Sequence, residues 1–468
     1  MSHEEFELDL THAEAVLTRY EGPSPRYTSY PTTPVWTEAY ERAQFAADLT
    51  QNDGAGSSPL SLYVHVPFCR SLCHFCACNR VITRDPALPE RYLDVLAHEI
   101  AAVRDRMPRG RTATQLHWGG GTPTHLSPGQ LRHLFWALRE AFPLQPGAEV
   151  SIEVDPRVTT PEHVETLREL GFRRISMGVQ DFDPRVQQAI HRLQPASETA
   201  RLVERSRRLG FESVNFDLLY GLPYQNEASF AHTLDTVLAI QPERIALYSY
   251  AHVTWVAKQQ RGFARHDLPD ASTKLRVLLM AVRRFLAAGY VYIGMDHFAR
   301  PDDELARAQR ERTLRRNFMG YTTQAGVDVV GFGPSAISAL RGGYAQSERD
   351  LGAWETAVRN HGLATMRGHR LTQEDFRRRW IIESIMCQGE LRADEYAAQF
   401  GTHFAADYVP ELRALEPLAA DGLVELDADG SLRATALGRL LVRNLAMRFD
   451  AYLGGPQRVG TPLFSKAV

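Results

Sequence analysis

Four of the chain's five cysteines fall within ten residues, in the stretch YVHVPFCRSLCHFCACNR from Tyr63 to Arg80. Cys69, Cys73 and Cys76 are spaced C-x3-C-x2-C, Cys78 follows as C-x-C, and Cys387 stands alone far downstream. A secreted disulfide framework would spread its cysteines along the chain, whereas a reducing compartment leaves clustered thiols free to bind metal. A structural zinc knuckle joins two ligand pairs separated by roughly a dozen residues or more, and no second Cys or His pair lies in range. Three thiolates on one short loop can instead hold three irons of a cubane and leave the fourth iron open to a ligand that is not protein. That open iron is where chemistry would occur.

Other residue types with chemical capacity follow the cysteines. Gly119 to Pro123, GGGTP, is either a tight turn or a place where a ligand meets bare backbone with no Cβ in the way. Glu153 and Asp217 lie in apolar runs, where an unpaired carboxylate is costly to bury and calls for a cationic or hydroxyl partner. Arg192, in HRLQ, reads equally well as a solvated helix end. MDHFARPDDEL, Met295 to Leu305, is a charge run of the kind that usually forms a solvated loop.

These residues need a frame. Between about 60 and 300, short β-rich runs alternate with amphipathic helical stretches, the pattern of β-α units on a parallel sheet. The predicted strands are SLYVHV, TQLHW, VSIEV, RISMGV, VNFDLL and RIALYSY. Ser127 with Pro128 and Thr160 with Pro161 mark helix starts, and Gly171 and Gly210 mark stops. Six strands in sequence suit an α/β fold of the incomplete (β/α)6-type barrel class; an open doubly wound sheet fits the spacing too. The candidates gather at the C-terminal ends of these strands, where β/α barrels build their active sites. The cysteines follow the first strand, GGGTP the second and Gln180 the fourth, while Glu153 and Asp217 lie in the third and fifth.

Beyond about residue 360 the pattern becomes helical, and LAADGLVELDADGSLRATALG reads as helix, hairpin, helix. This winged-helix-like outline has an acidic neighbourhood, which favours a lid or packing role over DNA binding. The chain divides into an N-terminal extension (1–58), the barrel (59–350) and a mainly helical C-terminal domain (360–468), with NDGAGSSP, Asn52 to Pro59, as a flexible linker. At 468 residues, 44% hydrophobic and 23% charged, it is an enzyme-sized globular protein. A net charge of −3 gives no bulk attraction to nucleic acid or anionic lipid. No apolar run reaches the roughly 18 residues of a membrane span, and the acidic start MSHEEFELDLTHAEAVL lacks the parts of a signal peptide, which reads as cytoplasmic.

C-x3-C-x2-C after a first strand, with the aromatic Phe75 just before the last cysteine, resembles the signature of the radical S-adenosylmethionine (SAM) enzymes. PRYTSYPT (Pro25 to Thr32), FCACNR, LHWGGGTPT, SIEVDPR, SMGVQDF, NFDLLYGLP, YIGMDHFARPDDELA, RNFMGYTTQ and GFGPSAIS extend the likeness. In order, from about residue 25 to about 455, they resemble the oxygen-independent coproporphyrinogen III oxidase (dehydrogenase) family of haem biosynthesis.

The resemblance implies a 4Fe-4S cluster on Cys69, Cys73 and Cys76, with the amino and carboxylate groups of SAM on the fourth iron. It implies oxidative decarboxylation of two propionates of coproporphyrinogen III to vinyl groups, giving protoporphyrinogen IX. Tyr63, Gly120, Glu153 and Ile337 would go with the iron-bound SAM, Tyr63 and Glu153 being the catalytic candidates. Phe75, Gly121, Thr122, Gln180, Arg192, Asp217 and Ala251 would go with a second SAM. Cys78 is expected to stay off the iron, because a fourth thiolate there would compete with SAM. Arg310, Arg312, Arg315 and Arg316 are candidates for holding propionates, Arg being suited to bidentate carboxylate contacts. Met319 stands where family members can carry a polar residue.

PRYTSYPT, with Arg26, Tyr27 and Tyr30, is expected to fold across the site. A flavodoxin- or reductase-type electron donor, an unidentified electron acceptor and a monomeric state complete the expectation. Two alternatives stay open: a relative that binds, delivers or cleaves haem, and a non-enzymatic iron-sulfur or zinc module. Relatives of the first kind generally lack the fourth cysteine and the RYTSYPT segment, both present in this chain.

Overall fold

The computed structural model describes residues 10–51, 58–255 and 257–453. All six expected strands form: β1 (Leu60–Val66), β2 (Ala113–Gly120), β3 (Leu144–Val154), β4 (Arg174–Gln180), β5 (Ser213–Tyr220) and β6 (Arg244–Ser249). They are parallel and lie side by side in chain order. Helices connect them, as right-handed crossovers between parallel neighbours require. The helix Pro128–Ala141 opens as its sequence suggests: Ser127 takes the N–H of Gln130 at 3.3 Å, and the Gln130 side chain returns to the Ser127 N–H at 2.9 Å. Gly171 and Gly210, both with positive φ, close the helices ahead of β4 and β5.

The sheet extends beyond these six strands. β7 (Val291–Gly294) and β8 (His297–Ala299) form a hairpin whose second strand runs antiparallel to β6. On the other edge β9 (Asp328–Phe332) pairs parallel to β1, followed by the antiparallel strands β10 (Ile337–Leu340), β11 (Gly343–Ser347) and β12 (Thr365–Arg370). The order β12-β11-β10-β9-β1-β2-β3-β4-β5-β6-β8-β7 is a linear run of 12 strands, so the barrel is incomplete. Tyr63 on β1 and Tyr248 on β6 are five strands apart, roughly 24 Å in a flat sheet. Both line one cavity together with His117 and Glu153, so the sheet is strongly curled.

A second core holds the C-terminal region and gathers Tyr396, Tyr408, Leu415 and Phe449 with Leu275 and Leu279 of the barrel helix Ala271–Ala287. Tyr27 and Tyr30 of the N-terminal segment are buried in this same core. The helix Val409–Ala420, the antiparallel pair Val424–Leu426 and Leu432–Ala434, and the short helix Ala436–Leu440 follow the expected helix, hairpin, helix outline. The linker expected at Asn52 to Pro59 falls largely on 52–57, outside the described residues. Among the described residues no helix is long and apolar enough to cross a membrane.

Candidate active site

The cysteine loop leaves the C-terminal end of β1 and is pinned at both ends. Phe68–Cys69 pairs parallel with Val81–Ile82, and the Val81 N–H reaches the Pro67 carbonyl at 2.7 Å. Gln260 donates to the carbonyls of Phe75 at 2.9 Å and Ala251 at 3.2 Å, tying Ala251 to the loop. Cys69, Cys73, Cys76 and Cys78 all line a cavity of about 170 Å³. Phe75, Gly120, Gly121, Thr122, Glu153, Gln180, Arg192 and Asp217 share it.

The donor set fits a cluster. Among the described residues no three His, Cys, Asp or Glu side chains converge where one ion would sit, and a cubane, which gives each thiolate its own iron, does not need them to. Cys73 Sγ lies 3.4 Å from Arg157 Nη2 and 3.5 Å from Arg192 Nη1, two donors aimed at a sulfur that carries negative charge when ligated. Asp155 binds both arginines, at 2.6 Å and 3.1 Å. Burial disfavours its charge, but Arg192 and Arg157 hold its carboxyl below the usual range. Arg192 Nε is buried without a partner, leaving a donor available for a bound group.

The three glycines are required by the protein itself. A Cβ on Gly119 would sit 2.8 Å from the Glu153 carboxyl carbon, on Gly120 2.8 Å from the His65 ring, and on Gly121 2.6 Å from the Pro67 carbonyl oxygen. Close approach is the reason for GGG, as expected, but the approaching groups include β1 and β3 as well as any ligand. Glu153 accepts the Gly120 N–H at 3.1 Å and lies 3.4 Å from His117 Nε2. Burial works against its charge, and these two contacts hold its carboxyl below the ordinary range. Asp217 is the opposite case: burial, then Glu153, push its carboxyl up to about 7, although Ser176 and Asn215 donate to it.

A second cavity of about 330 Å³ adjoins the first, and Glu153 lines both. Tyr63, His65, His117, Tyr248, His297, Ile337, Arg26 and Arg316 face it. The residues expected with the iron-bound SAM are thus split: Gly120 and Glu153 line the cysteine cavity, whereas Tyr63 and Ile337 line its neighbour. Those expected with the second SAM, Ala251 apart, line the cysteine cavity.

Sequence reasoning missed His65, His117 and Asp155. The signal was period two: Tyr63 and His65 share a face of β1, and Asp155 follows Glu153 at the end of β3. The register sets His117 opposite Tyr63, with their rings stacked 6.0 Å apart. His65 Nε2 lies 2.8 Å from the Asn79 carbonyl, which can only accept, so Nδ1 is left to accept from the Tyr63 hydroxyl at 3.1 Å. Arg192, which reads as a solvated helix end, is in fact 6% exposed.

Comparison with known proteins gives the family. The Radical SAM superfamily profile matches residues 63–237, and the HemN C-terminal domain profile matches residues 371–441. The chain is 44% identical over 470 residues to the oxygen-independent coproporphyrinogen III oxidase of Salmonella typhimurium, covering 100% of both chains. It belongs to the oxygen-independent coproporphyrinogen III oxidase family. The enzyme of that name from Pseudomonas aeruginosa is 45% identical over 440 residues, covering 94% of this chain and 95% of its own. The solved structure of the coproporphyrinogen III oxidase of Escherichia coli, described as a radical SAM enzyme, superimposes with a TM-score of 0.90 at 42% identity, covering 96% of this chain and 100% of that one. Members of this family are enzymes, and the expected α/β fold with its helical C-terminal region is the family's fold. Radical SAM membership implies a 4Fe-4S cluster and SAM.

Proposed function

We propose that this enzyme converts two propionate side chains of coproporphyrinogen III to vinyl groups, yielding protoporphyrinogen IX in haem biosynthesis. The observation that carries the reading is the pair of adjoining cavities with Glu153 in the wall of each, one lined by four cysteines and the other by histidine, tyrosine and arginine side chains. A cluster held by Cys69, Cys73 and Cys76 would, with SAM, supply the radical chemistry that removes a hydrogen atom from the propionate β-carbon. The carboxylate then leaves as carbon dioxide and one electron passes to a separate acceptor, so each vinyl group costs one hydrogen atom, one electron and one carbon dioxide.

The chain's own residues bind, orient and shield. Cys69, Cys73 and Cys76 would hold the cluster, with Arg157 and Arg192 donating to Cys73. Phe75, Gly120, Gly121, Thr122, Gln180, Arg192 and Asp217 share the cysteine cavity, which supports assigning them to the iron-bound SAM, with Ala251 tethered to the loop beside them. Tyr63 and Ile337 turn to the other cavity and fit a second SAM or the substrate, and Glu153 reaches both. Relative to the family expectation this moves Phe75, Gly121, Thr122, Gln180, Arg192, Asp217 and Ala251 to the iron-bound SAM and moves Tyr63 and Ile337 away from it, while Gly120 stays. The N-terminal segment, ending near residue 58, acts as a cover over the barrel (59–350), and the mainly helical C-terminal region, described from about 360 to 453, packs against the barrel helix Ala271–Ala287. A flavodoxin- or reductase-type donor would supply the electron to a monomeric, cytoplasmic protein.

Anaerobic reconstitution with iron and sulfide, followed by incubation with SAM, reductant and coproporphyrinogen III, tests the proposal. Mass analysis should find protoporphyrinogen IX, recovered as the porphyrin. Haem binding without conversion would favour a haem-handling relative instead.

A further inference from the structure

Four arginines of the segment 310–316 are candidates for propionate contacts on sequence grounds, and the structure separates them. Arg310 is at the surface and donates to the Pro301 carbonyl at 3.0 Å. Arg312 pairs with Glu390 and Glu395 of the C-terminal region. Arg315 donates to the Leu314 carbonyl at 3.2 Å and faces the half-buried Glu383. Of the four, Arg316 alone lines the cavity beside Tyr63, and Arg26, brought in by the N-terminal segment, lines it too.

The surroundings of Arg316 do not neutralise it. Its Nε donates to the Arg26 carbonyl at 3.3 Å, its guanidinium lies 4.8 Å from the centre of the Tyr321 ring, and Nη1 is buried with no hydrogen-bond partner. Arg26 pairs with Asp296 and lies 5.2 Å over the Tyr248 ring. Arg443, from the C-terminal region, is buried close by and donates to the Ser24 carbonyl at 3.1 Å. Asp296 pairs with Arg26, and Glu383 faces Arg315 and Arg379, so these two carboxylates are matched to arginines other than Arg316. Burying an uncompensated charge is costly, and a guanidinium that lines a cavity while one of its N–H groups has no partner calls for an anion.

We infer that Arg316 and Arg26 form a carboxylate clamp in this cavity, binding a propionate of the tetra-acid substrate that the proposed function requires. The clamp spans the barrel and the N-terminal cover, so substrate carboxylate joins the two. Its role is recognition: it touches the substrate at a carboxylate and leaves the reacting β-carbon to the SAM side.

The test uses coproporphyrin III, the stable oxidised form of the substrate, and its tetramethyl ester, which keeps the ring and removes every charge. Reconstituted wild-type protein should bind the tetra-acid at least about 30-fold more tightly than the ester, the loss expected when one partner of a buried charge pair is removed. Arg316→Met should lower tetra-acid affinity to near that of the ester, with iron content and substrate-independent SAM cleavage unchanged, while Arg310→Met should behave as wild type. If Arg316→Met fails to take up iron, Arg26→Met carries the same expectation. Full discrimination retained in both variants would overturn the clamp and leave the reaction untouched. Wild-type protein that binds neither porphyrin would overturn the substrate reading, and the clamp with it.

Discussion

Gly120 on β2 donates its backbone N–H to Glu153 Oε2 on the adjacent strand β3 at 3.1 Å. That bond, with His117 3.4 Å from the other oxygen, fixes the carboxylate that faces both cavities. On the proposed reading Cys69, Cys73 and Cys76 complete the protein's share of a cluster. Glu153→Ala should therefore reconstitute wild-type iron content but lose SAM binding or reductive cleavage. Iron assay and equilibrium dialysis with labelled SAM check this, and loss of iron would place the carboxylate on the metal instead.

The glycine turn offers a paired comparison. Gly120 has φ +117 and no room beside His65, whose ring is locked between Tyr63 and the Asn79 carbonyl. Gly147 has φ +79, and a methyl group added there would meet nothing within 4 Å. Gly147→Ala should cost only the backbone strain, about 1 kcal/mol. Gly120→Ala adds a steric clash and should cost about 3 kcal/mol or more, with loss of SAM binding. Urea unfolding of the two variants decides it; equal losses would mean that the His65 contact is slack.

How much of this was legible in the chain depends on how locally each feature is encoded. Cys69, Cys73, Cys76 and Gly119 to Thr122 are contiguous motifs, and the six parallel strands announce themselves because they alternate with amphipathic helices. A late strand ahead of Met295 shows in the sequence and forms as β7, but its three-residue hairpin partner β8 falls inside the charge run and lacks that punctuation, so it was invisible. Arg26, Arg316 and Arg443 are far apart in the chain, and only the curled sheet and the folded-back N-terminal segment bring them together. Arg192 looked like a helix end because its partner, Asp155, lies 37 residues earlier in the chain.

A pH dependence should follow from Glu99, buried on the helix Ala87–Arg106, which accepts the Gly333 N–H at 2.7 Å and the Trp354 indole N–H at 3.2 Å. Burial outweighs both bonds and pushes its carboxyl from 4.5 up to about 7. The folded chain then holds the proton more tightly than the unfolded one. This group's contribution to stability is greatest below the unfolded value and is lost as pH rises through about 7, a swing on the order of 3 kcal/mol. Glu99→Gln, which copies the neutral form, should lose less stability than wild type between about pH 5 and about pH 8 in urea unfolding. Equal losses would contradict the assignment.

Cys78 shares the cavity with the other three thiols, two residues from Cys76. Cys69→Ser, Cys73→Ser and Cys76→Ser should each abolish the SAM-cleaving cluster, whereas Cys78→Ser should keep iron, the reduced-cluster EPR signal and 5′-deoxyadenosine release. A Cys78→Ser protein without cluster would make Cys78 a ligand.

The central claim is that the cysteine cavity generates a radical that acts on a propionate held in its neighbour. Coproporphyrinogen III deuterated at the propionate β-carbons, incubated anaerobically with the reconstituted enzyme, SAM and reductant, tests it in one measurement. Deuterium should appear in 5′-deoxyadenosine as the propionates become vinyl groups. Release of unlabelled 5′-deoxyadenosine with the substrate unchanged would contradict it.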